Sequence, residues 1–377
     1  MKCKILGFAI VASMGAVSVH AADTIKIGVI QPLTGSVAYN GTAHVNGSRL
    51  AAAQRNAQGG VLGKQVELAV EDGQCQPAKT VNAAEKLIQK DRVPVIAGAF
   101  CSSATIAAMS VIAKYQVPLL SGVSSKDDLT ERGNQWFFRS AETDGLMARA
   151  FAQILVDQLK LQRIVYIGVN DDWGRGGIAE FSRQIEGLGG QTVHKLYFDH
   201  GTTDFYTMLT RVRAARPDGV FVAAETQDGS ILVRQMKEVG LRAHIFGVGS
   251  WATADFVKLT GEAAQGIHAA VPYAHTIQRP ENQQFVAAYR AAYNELPGKY
   301  SAAGYNALNI IMDAIERAGE ASPEKIRAAL EATHYLAPNG TFQFNRKHQA
   351  YGFDAVLVRL NQGEPEVIAS TSVVVDE

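Results

Sequence analysis

Residues 71–103 read EDGQCQPAKTVNAAEKLIQKDRVPVIAGAFCSS. The stretch predicts the end of one strand, a turn, an amphipathic helix, a second strand near 93–99, and a loop into another helix. Cys75 follows the first strand and Cys101 the second. In a parallel sheet both positions lie at the carboxyl edge, so a disulfide would join neighbouring loops. Closing that loop stabilises a fold by ~3 kcal/mol. Ser102 and Ser103 follow at once, ahead of the helix-spaced run ATIAAMSVIAKY. Hydroxyls and free backbone N–H groups thus converge at a helix start, which suits a carboxylate. A plainer role for Ser102 is that of a helix N-cap.

The same strand–helix alternation extends both ways. Residues 24–30 (TIKIGVI) alternate as a strand, a Gly-punctuated loop follows, and a helix over 41–58 ends at Gly59-Gly60. Strands are expected at 65–71 and 117–121, with a helix at 103–115 between the last two strands. The strands are apolar enough for burial on both faces, the mark of a doubly wound parallel sheet. The pattern then restarts: helix 144–159, strand 163–168, the loop VNDDWGRGG, helix 177–188, strand 191–198, helix 203–215, strand 218–224, helix 229–239 and strand 243–248. Helices near 281–294, 303–318 and 322–332 and a terminal strand set ending at 351–360 exceed what the second sheet needs. Some of them are expected to return to the first. Two doubly wound units put two rows of polar loops where ligands bind in such folds.

Residues 1–22 begin with Lys2 and Lys4, continue through the uncharged ILGFAIVASMGAVSV and end in small residues, the layout of a secretory signal peptide cleaved near Ala21 or Ala22. That apolar run is short for a membrane span, which needs ~20 residues. Cys3 precedes it, so two cysteines remain in an exported chain, in keeping with a disulfide. Removal of Lys2 and Lys4 takes the 36 basic residues to 34 against 36 acidic, a formal net charge of −2. Such a balance attracts neither nucleic acid nor an anionic membrane, and no direct membrane insertion is expected. At 47% hydrophobic and 19% charged residues the chain reads as soluble and globular, and about 355 residues after cleavage call for two domains.

Catalytic signatures are missing: there is no GxSxG elbow, P-loop or HExxH. Gly174-Arg175-Gly176-Gly177 matches a nucleotide loop only loosely, and the eight histidines after residue 22 are scattered. No metal or cofactor is expected, and the enzyme hypothesis lacks a nucleophile–base pair. Asp127-Asp128 and Asp171-Asp172 border helices, where the macrodipole favours carboxylates. The Asn-Gly-Thr and Asn-Gly-Ser sequons read as turns.

On DxxC…AGxxCSS, PLLSG, the WG loop after RIVYIG, IGVIQPLTGSVAYNG, RGNQWFFRSAETD and AGYNAL, the chain resembles the periplasmic Leu/Ile/Val-binding proteins of ABC importers. The likeness runs over essentially everything after residue 22. It implies the α/β type I periplasmic binding protein fold, two doubly wound lobes joined by a three-crossing hinge with a ligand between them. Lobe 1 would be 23–143 plus 275–350, and lobe 2 144–274 plus 351–377. The likeness further implies a periplasmic protein that hands an amino acid, branched-chain or otherwise hydrophobic, to an inner-membrane ABC permease. Residue by residue, it implies that Ser102, with Ser124 and Ser125, holds the ligand carboxylate. Tyr39 or Asn40 would border the side-chain pocket, and Trp173 would close over it. The family's ammonium-binding acid falls where this chain has Gly249, between Val248 and Ser250, and Glu225 stands where relatives carry a Tyr. The departure leaves an aromatic acid or a small amide as alternative ligands, and a sensor ectodomain as an alternative role.

The exported protein is expected to contain no free thiol. Two titratable thiols per chain under denaturing, non-reducing conditions would overturn the Cys75–Cys101 pairing and weaken the export assignment.

Overall fold

The computed structural model describes residues 24–375; the signal-peptide expectation lies outside them. Strand β1 (Thr24–Gln31) leads to helix α1 (Ala38–Ala57), β2 (Gln65–Asp72), α2 (Pro77–Glu85), β3 (Ile96–Ala97), α3 (Ser102–Tyr115), β4 (Leu119–Ser121) and β5 (Phe137–Arg139). All pairings in this sheet are parallel, in the order β2-β1-β3-β4-β5. Its central residues, among them Ile27, Val29, Ala97 and Leu120, are fully buried, as strands covered on both faces must be. β3 is shorter than the expected 93–99, because only Ile96 and Ala97 pair on both sides. Cys75 and Cys101 form a disulfide across the carboxyl edge.

The second unit begins with α4 (Asp144–Leu159), β6 (Arg163–Val169), α5 (Asp172–Gly187), β7 (Gln191–Phe198) and α6 (Tyr206–Ala214). It continues through β8 (Gly219–Ala223), α7 (Thr226–Glu238), β9 (His244–Val248), α8 (Ala254–Thr260) and β10 (His268–Val271). Helices α9 (Pro280–Tyr293), α10 (Lys299–Ala318) and α11 (Pro323–Glu331) follow, and α10 lies along α1. Strands β11 (Tyr335–Ala337), β12 (Gly340–Phe344), β13 (Ala350–Asn361) and β14 (Glu364–Ser372) end the chain. The second sheet runs β11-β12-β13-β10-β9-β8-β6-β7, with β14 also on β13. Its β6 to β10 pairings are parallel, while β13 adds antiparallel to β10, β12 and β14.

Two sequence expectations fail here for physical reasons. The loop VNDDWGRGG is mostly helix: Asp171 caps α5 by accepting the Gly174 N–H at 2.8 Å, so the helix starts five residues earlier than expected. The sequons at Asn40 and Asn46 are not turns but lie inside α1. Their glycines serve close packing: a Cβ on Gly41 would sit 1.9 Å from Pro32 O, and one on Gly47 1.9 Å from Ser301 O. Asn339-Gly340, by contrast, does turn between β11 and β12.

Three segments pass between the unit built on the first sheet, which includes α10 along α1, and the unit built on the second, and Arg139 ties two of them. It is fully buried at the end of β5, and its guanidinium donates to Gln349 Oε1 at 2.5 Å, Lys126 O at 2.5 Å and Asp127 O at 3.2 Å. Gln349 in turn donates to Ala141 O at 2.9 Å. The first crossing (140–143) and the third (345–349) are thereby held side by side, while the second runs from β10 to α9. Asp144 opens α4 directly beyond the first crossing. Its Oδ1 accepts the Ser125 hydroxyl at 3.2 Å, and its Oδ2 has no partner among the described residues. Burial, then the neighbouring Asp127 and Glu142, push its carboxyl well above the usual range.

A carboxyl whose folded pKa is raised costs the fold stability above its ordinary value, in full above the folded pKa, and the penalty fades as pH falls from the folded pKa back to the ordinary value. Asp144→Asn is therefore expected to raise Tm at pH 7 by about 1–2 °C, the scale of ~1 kcal/mol in a chain of this size. The gain should shrink as pH is lowered. A lower Tm at pH 7, measured by calorimetry, would count against a destabilising, underpartnered Asp144.

Candidate ligand-binding site

In an open parallel sheet, ligands gather where strand order reverses, because the flanking helix starts diverge there. In the first sheet that point lies between β1 and β3, followed by α1 and α3; in the second it lies between β6 and β8, followed by α5 and α7. The two points face each other across one cavity. From the first unit it is lined by Phe100, Ser102, Val123, Ser124, Ser125, Lys299 and Tyr300, and from the second by Asp171, Trp173, His200 and Glu225.

Glu225 is the residue on which the two halves meet. It is the N-cap position of α7 and 7% exposed. Its Oε2 accepts Asn40 Nδ2 at 3.0 Å and the Tyr300 hydroxyl at 2.5 Å, both donors from the opposite unit. Burial pushes its carboxyl up, against the pull of Lys299 and of the Tyr300 hydrogen bond. Asn40 is gripped at its other end as well, since Oδ1 accepts the Thr226 hydroxyl at 2.8 Å. Lys299 Nζ lies 3.4 Å from Glu142 Oε1, linking the cavity to the first crossing.

The serine corner is more divided than the sequence implied. Ser124 Oγ lies 2.8 Å from Phe100 O and 2.7 Å from Thr105 Oγ1, so its hydroxyl is spent within the first unit. Ser125 donates to Asp144. Ser102, in the first turn of α3, accepts the Lys126 N–H at 3.3 Å and keeps its own proton to give. A hydroxyl donor at the start of a 14-residue helix is where an anion is held well.

Trp173 sits in the first turn of α5, on the cavity wall, and is 9% exposed. Gly249 does not line the cavity. It packs beneath that indole: its φ is +112°, and a Cβ there would come 2.7 Å from Ala224 O and 3.5 Å from Trp173 Cη2. Tyr39 is also outside, 44% exposed at the rim, where its hydroxyl bonds Asp255 of the second unit. Trp251 is fully buried with its N–H on Ala224 O at 2.8 Å, so it belongs to the second core.

Sequence reasoning missed Lys299, Tyr300, Asp171 as a lining residue, and His200. Helix α10 was expected from 303 but begins at Lys299, where Gly298 N–H bonds Ser301 Oγ at 2.8 Å. Pro297-Gly298 ahead of it was the available start signal. His200 lies in a turn after β7 and carried no signal.

Residues 24–365 match the family model described as periplasmic binding protein. The chain belongs to that family. Among curated periplasmic binding proteins, a leucine-, isoleucine-, valine-, threonine- and alanine-binding protein of Pseudomonas aeruginosa is 29% identical over 92% of this chain and 93% of its own. Among solved structures, the branched-chain amino acid transporter substrate-binding protein of Streptococcus pneumoniae in complex with isoleucine superposes with a TM-score of 0.85. It is 27% identical and covers 93% of this chain and 99% of that one. A solute-binding protein of an R. palustris ABC transporter in complex with benzoate has a TM-score of 0.87 at 21% identity, covering 94% and 98%, a likeness of fold. This chain is accordingly a solute-binding protein of the type I fold rather than an enzyme.

Ser102→Ala is expected to weaken ligand binding by about 1–3 kcal/mol while leaving Tm nearly unchanged, since the charged group loses a donor. Unchanged affinity with stability lower by about 1 kcal/mol would reduce Ser102 to a helix cap. Calorimetric titration and thermal denaturation of the one variant separate the outcomes.

Proposed function

We propose that this protein captures a hydrophobic amino acid in the periplasm, between its two lobes, and passes it to an ABC permease of the inner membrane. The lobes are divided as the family resemblance divides them, with the leader removed on export. The reading is carried by Glu225: a buried carboxylate at the switch point of the second sheet, opposite the start of α3. A zwitterion fits that polarity, its carboxylate toward Ser102 and the α3 N-terminus, its ammonium toward Glu225. Phe100, Val123, Trp173 and Tyr300 supply the apolar walls for a side chain. The amino-acid-binding relatives support the same class. Closure strengthens these contacts by excluding water.

One observation favours the alternative, an aromatic acid or small amide. Glu225 already has Tyr300, Asn40 and the charge of Lys299 to satisfy it, and no acid occupies position 249. A ligand without an amine would leave those contacts intact.

A thermal-shift panel of branched-chain amino acids, their amine-free keto and hydroxy analogues, benzoates and small amides discriminates the two, because a tight ligand raises Tm by mass action. Under the amino-acid reading Glu225→Gln is expected to cost amino-acid binding about 2–5 kcal/mol, the scale for breaking a buried charge pair. It should leave an amine-free analogue bound no worse. If the parent prefers amine-free ligands, or the variant binds the amino acid unchanged, the alternative takes its place.

A further inference from the structure

The ligand contacts leave one charged cluster of the second lobe without a role. His200 follows β7, and its ring lies between two carboxylates: Nε2 is 3.1 Å from Asp171 Oδ2 and Nδ1 is 3.5 Å from Asp228 Oδ2. Asp171 is the N-cap of α5. Asp228, 2% exposed, stands in the first turn of α7, and its Oδ1 accepts the Gly201 N–H at 3.2 Å. One imidazole is thus fastened to the starts of the two helices that flank the switch point. Those same starts carry Trp173 and Glu225. An ionised carboxylate only accepts hydrogen bonds, so a ring with one on each nitrogen must donate from both, as an imidazolium.

We propose that His200 is a positioning residue of the binding wall: its doubly donating ring holds the starts of α5 and α7 together and thereby sets Trp173 and Glu225 over the ligand. The inference rests on the proposed function only in taking this cavity as the ligand site; it is indifferent to which ligand binds. Without the ring, Asp171 and Asp228 would stand as two unneutralised carboxylates on adjacent helix starts and repel.

The charged groups facing the ring are Asp171, Asp228 and, across the cavity wall, Glu225, whose carboxyl the ring pulls downward. Burial lowers the affinity of the ring for its proton, but the hydrogen bonds and charges of Asp171 and Asp228 overcome it and push the pKa up to about 10. A raised folded pKa contributes stability that is complete below the ordinary value of ~6.5 and lost only as pH rises through the folded one. The clamp is therefore fully engaged at neutral pH.

The test uses the full mature chain, with L-leucine and benzoate as titrants. Nitrogen-15 NMR of the His200 ring at pH 8 is expected to show protons on both nitrogens. His200→Gln is expected to lose about tenfold in affinity, the scale of coupling between contacting charged groups, with Tm within a few degrees of the parent. Adding Asp228→Asn removes one of the two carboxylates while its amide oxygen still accepts the Gly201 N–H, so the double variant should regain most of the affinity. A filler role for the ring would give no such rescue. A neutral ring at pH 8, an unchanged affinity in His200→Gln, or a loss that the double variant does not restore would overturn the proposal. Should neither titrant bind the parent, the proposed ligand class fails by itself. The ring protonation and the Trp173 emission, shifted in His200→Gln and restored in the double variant, then decide the clamp alone.

Discussion

A carboxylate taken out of water must be met by donors or a cation, and in this chain the donors come from the other half of the molecule. Glu225 projects from the second unit and is received by Asn40 and Tyr300 of the first. Asn40 closes the exchange by accepting from Thr226, beside Glu225. Separating the halves would leave a desolvated carboxylate short of partners unless water replaced them, so the contact couples burial to closure. Lys299 extends the coupling, since it faces both Glu225 and Glu142 in the first crossing. Side chains at the cleft and backbone at the hinge are therefore within one electrostatic neighbourhood.

The sheets explain why these groups meet. Each parallel sheet reverses strand order once within its parallel part, and at each reversal two helices start at the carboxyl edge. Four helix starts, those of α1, α3, α5 and α7, consequently converge on one space, carrying Asn40, Ser102, Trp173 and Glu225. Helix α1 is braced by close packing: Gly41 lets it approach Pro32, and Gly47 lets it approach α10 at Ser301. On the opposite side the brace is charged, through His200 and its two aspartates. Arg139 supplies the third fixed point, binding carbonyl oxygens of the 126–127 loop and Gln349 of the third crossing. Its burial is sustained because most of its donors are matched by oxygen acceptors.

The alternation of apolar strands with amphipathic helices was legible throughout the sequence, because period and turn chemistry are local properties. So were the pairing of Cys75 with Cys101 and the helix start at Ser102, since both follow from being just past a strand. Helix starts were less legible. Asp171 begins α5 by capping Gly174, and a stretch rich in Gly and Asp reads as a loop until the cap is seen. Sequons inside α1 read as turns for the same reason, since glycine serves close approach as readily as reversal.

What the sequence by itself determined is the two-unit α/β architecture, the row of polar loops at each carboxyl edge, and the family likeness that points to Ser102 and Trp173 and from which Glu225 departs. Only the tertiary structure decided how those loops share their hydroxyls and charges. It turned Ser124 to Phe100 and Ser125 to Asp144, put Gly249 beneath the Trp173 indole, and brought Lys299, Tyr300 and His200 into the cavity. The reason is distance along the chain: Asn40 and Glu225 are 185 residues apart, and Tyr300 and Glu225 75. Local propensity carries no information about such pairings, which exist only once two sheets have folded and the crossings have set them face to face.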